Sequence, residues 1–420
     1  VFVAIILLCT FLMGFSWIKE KNIYNPLFLF SGLWTLVVIG SKLQLYDLFK
    51  PNDYVFLIYS LGIASFGIGC LLVSGLKVGT LIKPDNQISQ YMINDRVYYL
   101  FTIITCIIVW SAAAPTIKLL MEGANFYEIR YIMIGQIQES QNNLLLSYFA
   151  LPFTHVMMHI SVIYMLVHKN KKYLFITLFT ILGVVLTNGA RLFLLYYLID
   201  VAITKIILKT LYEDNKKNKK KKDSNIYVTL ITLFIVIGMV YITLLRKSDI
   251  FRTIYMYTVG TVPHMSQRIE QFNVIGQHTY GLTSLQGVFR PVFSVLERLG
   301  VNSSLFQLSD IYIEQWQSIA FIAPEVTYNF CVSLFMYFYA DFGLFGVFIG
   351  SILFGLISSF AYKALKRNFS IRSLAIYLIF VQAILLSMIR FQFSDLSYAL
   401  AFIYLFIVMR KKSNLDEEIK

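Results

Sequence analysis

Eleven apolar blocks of roughly 20 residues each, separated by short polar stretches, constrain this chain more than any other feature. As helices, blocks of that length cross the roughly 30 Å hydrocarbon core of a bilayer. They lie at about 1–18, 27–46, 54–76, 97–119, 144–167, 172–188, 191–211, 226–245, 341–362, 373–389 and 395–409. Only 14% of the 420 residues are charged and 58% are apolar, whereas a soluble domain is typically about a quarter charged. The expected class is an all-α polytopic membrane bundle of 11 transmembrane helices, divided as 1–245 (eight spans), 246–340 (one large, partly helical extracytoplasmic loop) and 341–420 (three spans and a tail).

The net charge of +13 does not point to nucleic acid. Its one dense run, Lys216 to Lys222, joins two apolar blocks and reads as a topology signal. The four cysteines, Cys9, Cys70, Cys106 and Cys331, are too far apart for a disulfide framework or metal-ligand spacing. The sequence has no G-x-x-x-x-G-K-[ST], no H-E-x-x-H and no G-x-S-x-G, so an ATP-driven pump, a zincin and an α/β-hydrolase lose support. Residues 1–18 lack the basic start and A-x-A end of a cleavable signal, although the missing initiator Met suggests a trimmed terminus.

Basic loops face the cytoplasm, and here they alternate as that rule demands. One side collects 24 Lys and Arg against 9 Asp and Glu, the other 12 against 13, and Asp200 lies between. The sequence therefore predicts an outer N-terminus and an inner C-terminus. Within the outer loop, Leu282 to Leu299 carries apolar residues at three- and four-residue spacing, an amphipathic helix on the membrane face or the bundle mouth.

Arginine is concentrated outside. Eight of the 12 outer basic residues are Arg (Arg130, Arg191, Arg246, Arg252, Arg268, Arg290, Arg298, Arg390), against 4 of 24 inside. A guanidinium fork binds phosphate oxygens bidentately, so a lipid pyrophosphate is a fitting ligand; pairing with outer carboxylates or snorkelling accounts for others of the set. Arg191 stands out because its connection is too short to be a solvated loop.

Among the acids, Asp341 precedes the G-x-x-x-G of Gly346 and Gly350, and is either a helix-terminal carboxylate or a reacting group. Glu325, just upstream with Asn329, is a candidate base, and His264 and His278 could serve as acid or base. Asp200 is expected to make a hydrogen bond between helices. His155 and His159, at i and i+4, are expected to make packing contacts in place of a metal site. No Asp-x-Asp occurs, which disfavours a metal-bound nucleotide sugar and favours a lipid-pyrophosphate leaving group, with no metal and no cofactor.

The Thr-Asn-Gly-Ala-Arg run (187–191), the stretch from Asn329 through Tyr337, Tyr339 and Asp341-Phe342-Gly343 to Gly350, and the segment Asn125 to Arg130 resemble the Wzy-type polymerases of bacterial O-antigen and capsule repeat units. The resemblance implies a glycosyltransferase in the bacterial inner membrane. Such an enzyme moves a growing glycan from one undecaprenyl pyrophosphate to the sugar end of a new lipid-linked repeat unit. It also implies partners: undecaprenyl-pyrophosphate-linked oligosaccharides, membrane lipids and a chain-length-regulating co-polymerase. By the resemblance Arg191 would hold a pyrophosphate and Arg130 matches the family's earlier loop Arg; Arg252 and Arg290 are further candidates from the reading of the outer loop itself. Asn329 and Tyr280 would contact substrate, and Glu325, Asp341 and His278 are the catalytic candidates. An O-antigen ligase-like transferase and a flippase or secondary transporter are the alternatives.

Overall fold

The structure, a computed structural model, describes residues 2–75, 91–124, 144–188, 191–213, 232–233, 235–238, 249–329 and 332–411. It is helical almost throughout. In chain order the helices are α1 (Phe2–Glu20), α2 (Pro26–Leu43), α3 (Asp53–Ser74), α4 (Asp95–Met121), α5 (Leu146–Leu166, opening with a π turn), α6 (Leu174–Asn188) and α7 (Leu192–Glu213). There follow α8 (Ile250–Val259), α9 (Thr261–Ile275), α10 (Gln286–Arg298), α11 (Ser304–Gln317), α12 (Leu334–Arg367), α13 (Ile371–Leu385) and α14 (Leu396–Val408). The only strands among the described residues form two antiparallel pairs, β1 (Tyr91–Ile93) with β4 (Met409–Lys411) and β2 (Ala320–Ala323) with β3 (Val326–Tyr328).

Among the described residues six helices, α1 to α5 and α12, are long and apolar enough to cross a membrane. The expected count of eleven is met only in part. Helix α7 has the length but carries Asp200, Lys205 and Lys209. Helices α6, α13 and α14 have 15, 15 and 13 residues, about 20 to 22 Å at 1.5 Å per residue. Helix α13 stops early because the backbone beyond it is recruited elsewhere: the Ser387 carbonyl accepts from Leu334 N–H at 2.9 Å and its hydroxyl from the Trp34 indole at 3.2 Å. The block at 226–245 falls almost wholly outside the described residues.

Contacts divide the chain into two units that cut across the expected linear domains. The first comprises 1–81, 251–367 and 379–399, and the second 82–250, 368–378 and 400–420. In the first, α3 and α12 approach closely: a Cβ on Gly69 would lie 2.2 Å from the Ile352 carbonyl oxygen, and one on Gly355 2.3 Å from that of Phe66. Without a hydrophobic force between helices in lipid, small residues at such crossings supply the packing. Around them Phe30 stacks on Phe66 at 3.8 Å, and buried Trp34 lies against Tyr59 and Phe335.

Ends predicted to share a side of the membrane do meet. In the first unit Lys19 donates to the Ser74 hydroxyl at 2.9 Å and Lys366 pairs with Glu20 at 2.6 Å. In the second, Lys172 pairs with Asp95 at 2.8 Å, and the β1–β4 ribbon sets Met92 opposite Arg410. Buried there too is the predicted bond between helices, His159 Nδ1 to Asp200 Oδ2 at 2.7 Å. His155 packs its ring on Phe193 and Tyr196.

Candidate functional site

Helix α12 is two helices joined by a break. Phe342 (φ −145°, ψ 22°) and Gly343 (φ 63°, ψ −144°) leave helical space, and the second conformation is one that only glycine adopts easily. Segment 334–341 therefore ends with exposed carbonyls, which any helix terminus must satisfy from elsewhere. The turn after α9 supplies the donors: Thr279 N–H to the Ala340 carbonyl and Tyr280 N–H to that of Asp341, both at 3.2 Å. Segment 344–367, roughly 36 Å long at 1.5 Å per residue, doubles back tightly. A Cβ on Gly346 would lie 2.1 Å from the Phe338 carbonyl oxygen and one on Gly350 2.7 Å from the Phe338 ring. The G-x-x-x-G packs against its own helix's first half.

Asp341 is the centre of this junction. It is 2% exposed, and its Oδ1 accepts from the Thr279 hydroxyl at 2.7 Å and Thr283 N–H at 3.0 Å, its Oδ2 from Ser284 N–H at 3.0 Å. The carboxylate thus holds a turn in which Tyr280 (φ 54°) and Gly281 (φ 96°) both occupy the left-handed region. Three hydrogen bonds commit it to this brace. The terminal-carboxylate reading of Asp341 is closer than the reacting-group one, with a correction: the N–H groups it satisfies belong to the 279–285 turn.

His278 sits beside the brace, half-buried, with Nδ1 3.2 Å from the Ala340 carbonyl oxygen and its ring against Phe272 at 5.6 Å. A carbonyl can only accept, so in the neutral ring Nδ1 carries the proton and Nε2 the lone pair. That is the arrangement of an oriented base. His264, by contrast, is fully buried and its Nε2 accepts from Arg268 Nε–H at 3.1 Å. It does not serve as a base.

The other named residues are dispersed. Glu325 is exposed at the tip of the β2–β3 hairpin with φ 61°, and exposed Asn329 follows β3. That hairpin packs on the first turns of α9, with Tyr328 against His264, whereas the His278 junction packs on its last turn. The contacting residues, His264 and Phe272, lie eight residues apart on that helix, about 12 Å at 1.5 Å per residue. No hydrogen bond or ion pair among the described residues joins Glu325 or Asn329 to His278 or Asp341.

The arginines divide too. Arg290 is ion-paired with Asp310, which also accepts from Gln286, and its guanidinium lies 5.7 Å from the Phe306 ring; its fork staples α10 to α11. Arg390 pairs with Asp395 at 2.9 Å. Arg268 is buried, bonded to His264, Gln271 and Ser318, and burial lowers its pKa from the ordinary guanidinium value. Arg252 is exposed beside the Tyr46 ring at 6.0 Å. Arg130 and Arg246 lie outside the described residues. Arg191 belongs to the second unit, half-buried at the N-terminus of α7, where its carbonyl accepts from Leu195 N–H. A cation is disfavoured by the helix dipole there, while an anion is attracted by both groups.

Sequence reasoning missed the turn residues Thr279, Thr283 and Ser284, and a second polar group alongside. Tyr339 donates to Asn273 Oδ1 at 2.8 Å and its hydroxyl lies 3.2 Å from that of Tyr54. Three consecutive residues at the end of the first half of α12, Tyr339, Ala340 and Asp341, thus each grip the segment 273–284. No protein-family model, no curated protein and no solved structure matches the chain.

Proposed function

We propose that the chain is an integral-membrane glycosyltransferase of 11 spans. In this reading it polymerises undecaprenyl-pyrophosphate-linked oligosaccharide repeat units at the outer face of the bacterial inner membrane. The acceptor sugar's hydroxyl oxygen attacks the anomeric carbon of the donor glycan. The anomeric C–O bond to pyrophosphate breaks, the pyrophosphate leaves with the electron pair, and the hydroxyl proton passes to His278 Nε2. Arginine stabilises the leaving charge.

The observation that carries this reading is the His278 junction: an imidazole whose Nδ1 is anchored on a broken helix, beside a turn held by a buried carboxylate, in the long segment between apolar helices. Pre-organised geometry of this kind is what proton transfer at a sugar hydroxyl requires. With the base and the leaving group both supplied, the reaction needs no nucleotide sugar. Purified protein given only undecaprenyl-pyrophosphate repeat units is expected to form multimers and release undecaprenyl pyrophosphate. Transfer only to a lipid A core would make it a ligase instead, and movement of unaltered substrate across vesicles a transporter.

A further inference from the structure

One surface cleft, with Asn52, Glu270 and Asn273 exposed on its rim, includes the Tyr54 and Asn273 groups that Tyr339 holds. It has a volume of about 140 Å³ and sits between the first turn of α3 and the face of α9, lined by Asn52, Tyr54, Val55, Ser266, Ile269, Glu270 and Asn273. Five of those seven side chains are polar, an unusual lining for a pocket, since small-molecule sites are mostly apolar with a few polar groups. At about 30 Å³ of liquid per water the space equals some five waters, the scale of one sugar ring.

Its polar groups are fixed from behind. Asn52 caps α3 by accepting from Tyr54 N–H at 3.0 Å, its own N–H donates to the Ser266 hydroxyl at 2.9 Å, and its amide reaches Glu270 Oε1 at 3.4 Å. The Asn273 Oδ1 is taken by the Tyr339 hydroxyl at 2.8 Å, which fixes its flip and turns the amide nitrogen into the group offered to a ligand. With the Tyr339 proton given to Asn273, Tyr54 donates to Tyr339, so the cavity presents two N–H donors from Asn273, carboxylate acceptors from Glu270, the acceptor lone pairs of the Tyr54 hydroxyl and an apolar flank from Val55 and Ile269. Adjacent hydroxyls on a ring with an apolar face match that set; a phosphate does not, because Glu270 would repel it.

We infer that this cavity is a carbohydrate subsite, binding one neutral sugar ring through Glu270, Asn273 and Tyr54. It is linked to the His278 junction through Tyr339, which bonds Asn273 and whose ring centroid lies 5.8 Å from that of Phe272, itself 5.6 Å from the His278 ring. Its assignment to the acceptor sugar rests on the transferase reading; the binding itself does not.

Saturation-transfer NMR on the purified full chain, with methyl glycosides of glucose, galactose, mannose, N-acetylglucosamine and N-acetylgalactosamine as probes, tests it. Glu270→Gln and Asn273→Asp are nearly isosteric, and the second keeps the oxygen that Tyr339 needs, so both variants should fold. At least one glycoside is expected to bind the native protein and to bind each variant about tenfold or more weakly, the order of one lost hydrogen bond. No binding by the native protein, or equal binding by both variants, overturns the subsite. In the polymerisation assay the same variants should raise the KM for the acceptor more than they lower kcat. Polymerisation unaffected by either variant overturns the acceptor assignment, whereas glycoside binding without polymerisation leaves the subsite standing and refutes the transferase.

Discussion

Replacing Asp341 by Ala removes the acceptor for two buried backbone N–H groups, Thr283 and Ser284, and for the Thr279 hydroxyl. A buried donor left unsatisfied costs about 1–3 kcal/mol, so the two N–H groups and the hydroxyl together put the loss at roughly 3–9 kcal/mol. Asp341→Asn should fall between, because Oδ1 survives while the amide nitrogen confronts Ser284 N–H. Such energies are a large part of a typical domain's 5–15 kcal/mol, and they act first on the turn itself. Hydrogen exchange in detergent micelles, followed on the peptide covering 276–288, reads that local stability. The Ala variant is expected to exchange there at least 100-fold faster, since each 1.4 kcal/mol is tenfold, with Asn intermediate. Native exchange in Asp341→Ala together with lost transfer would refute the brace and make Asp341 a reacting group.

Three further outcomes follow from the same geometry. His278→Gln should lower kcat by about 10²–10⁴-fold, the usual worth of a positioned base, with exchange of the 276–288 peptide unchanged; full activity would remove His278 from the mechanism. Arg191→Lys should be nearly as impaired as Arg191→Ala, because a point charge cannot replace a bidentate fork, and normal transfer by the Lys variant would reduce Arg191 to a packing charge. A cysteine at exposed Asn302 should react with membrane-impermeant thiol reagents in intact cells while one at exposed Lys21 should not, and the reverse pattern would invert the topology.

The long helices were legible in the sequence because uninterrupted apolar runs leave few other options: α1 to α4 fall within a few residues of the expected blocks. Charge alternation anticipated which ends meet, as Lys19 with Ser74 and Lys172 with Asp95 show. Asp341-Phe342-Gly343 was visible as a special point, yet what Asp341 does there depends on Thr283 and Ser284, 58 and 57 residues away. The same holds for the cavity, whose Asn52 and Ser266 lie 214 residues apart. Spacing along the chain carries no information about such pairs. Arginine enrichment was real but ambiguous, because Arg290 and Arg390 are committed to Asp310 and Asp395. Glu325 drew attention through its sequence proximity to Asp341, and the hairpin that carries it, with the residue exposed at its tip, was not legible from that spacing.

Reconstitution tests the central claim most directly. The purified chain is mixed with undecaprenyl-pyrophosphate-linked repeat units, without nucleotide sugar or ATP, and the products are resolved by length. A ladder of multimers is expected, with one undecaprenyl pyrophosphate released for each linkage formed, and loss of the ladder in His278→Gln. Repeat units that stay monomeric in the presence of well-folded native protein would contradict it.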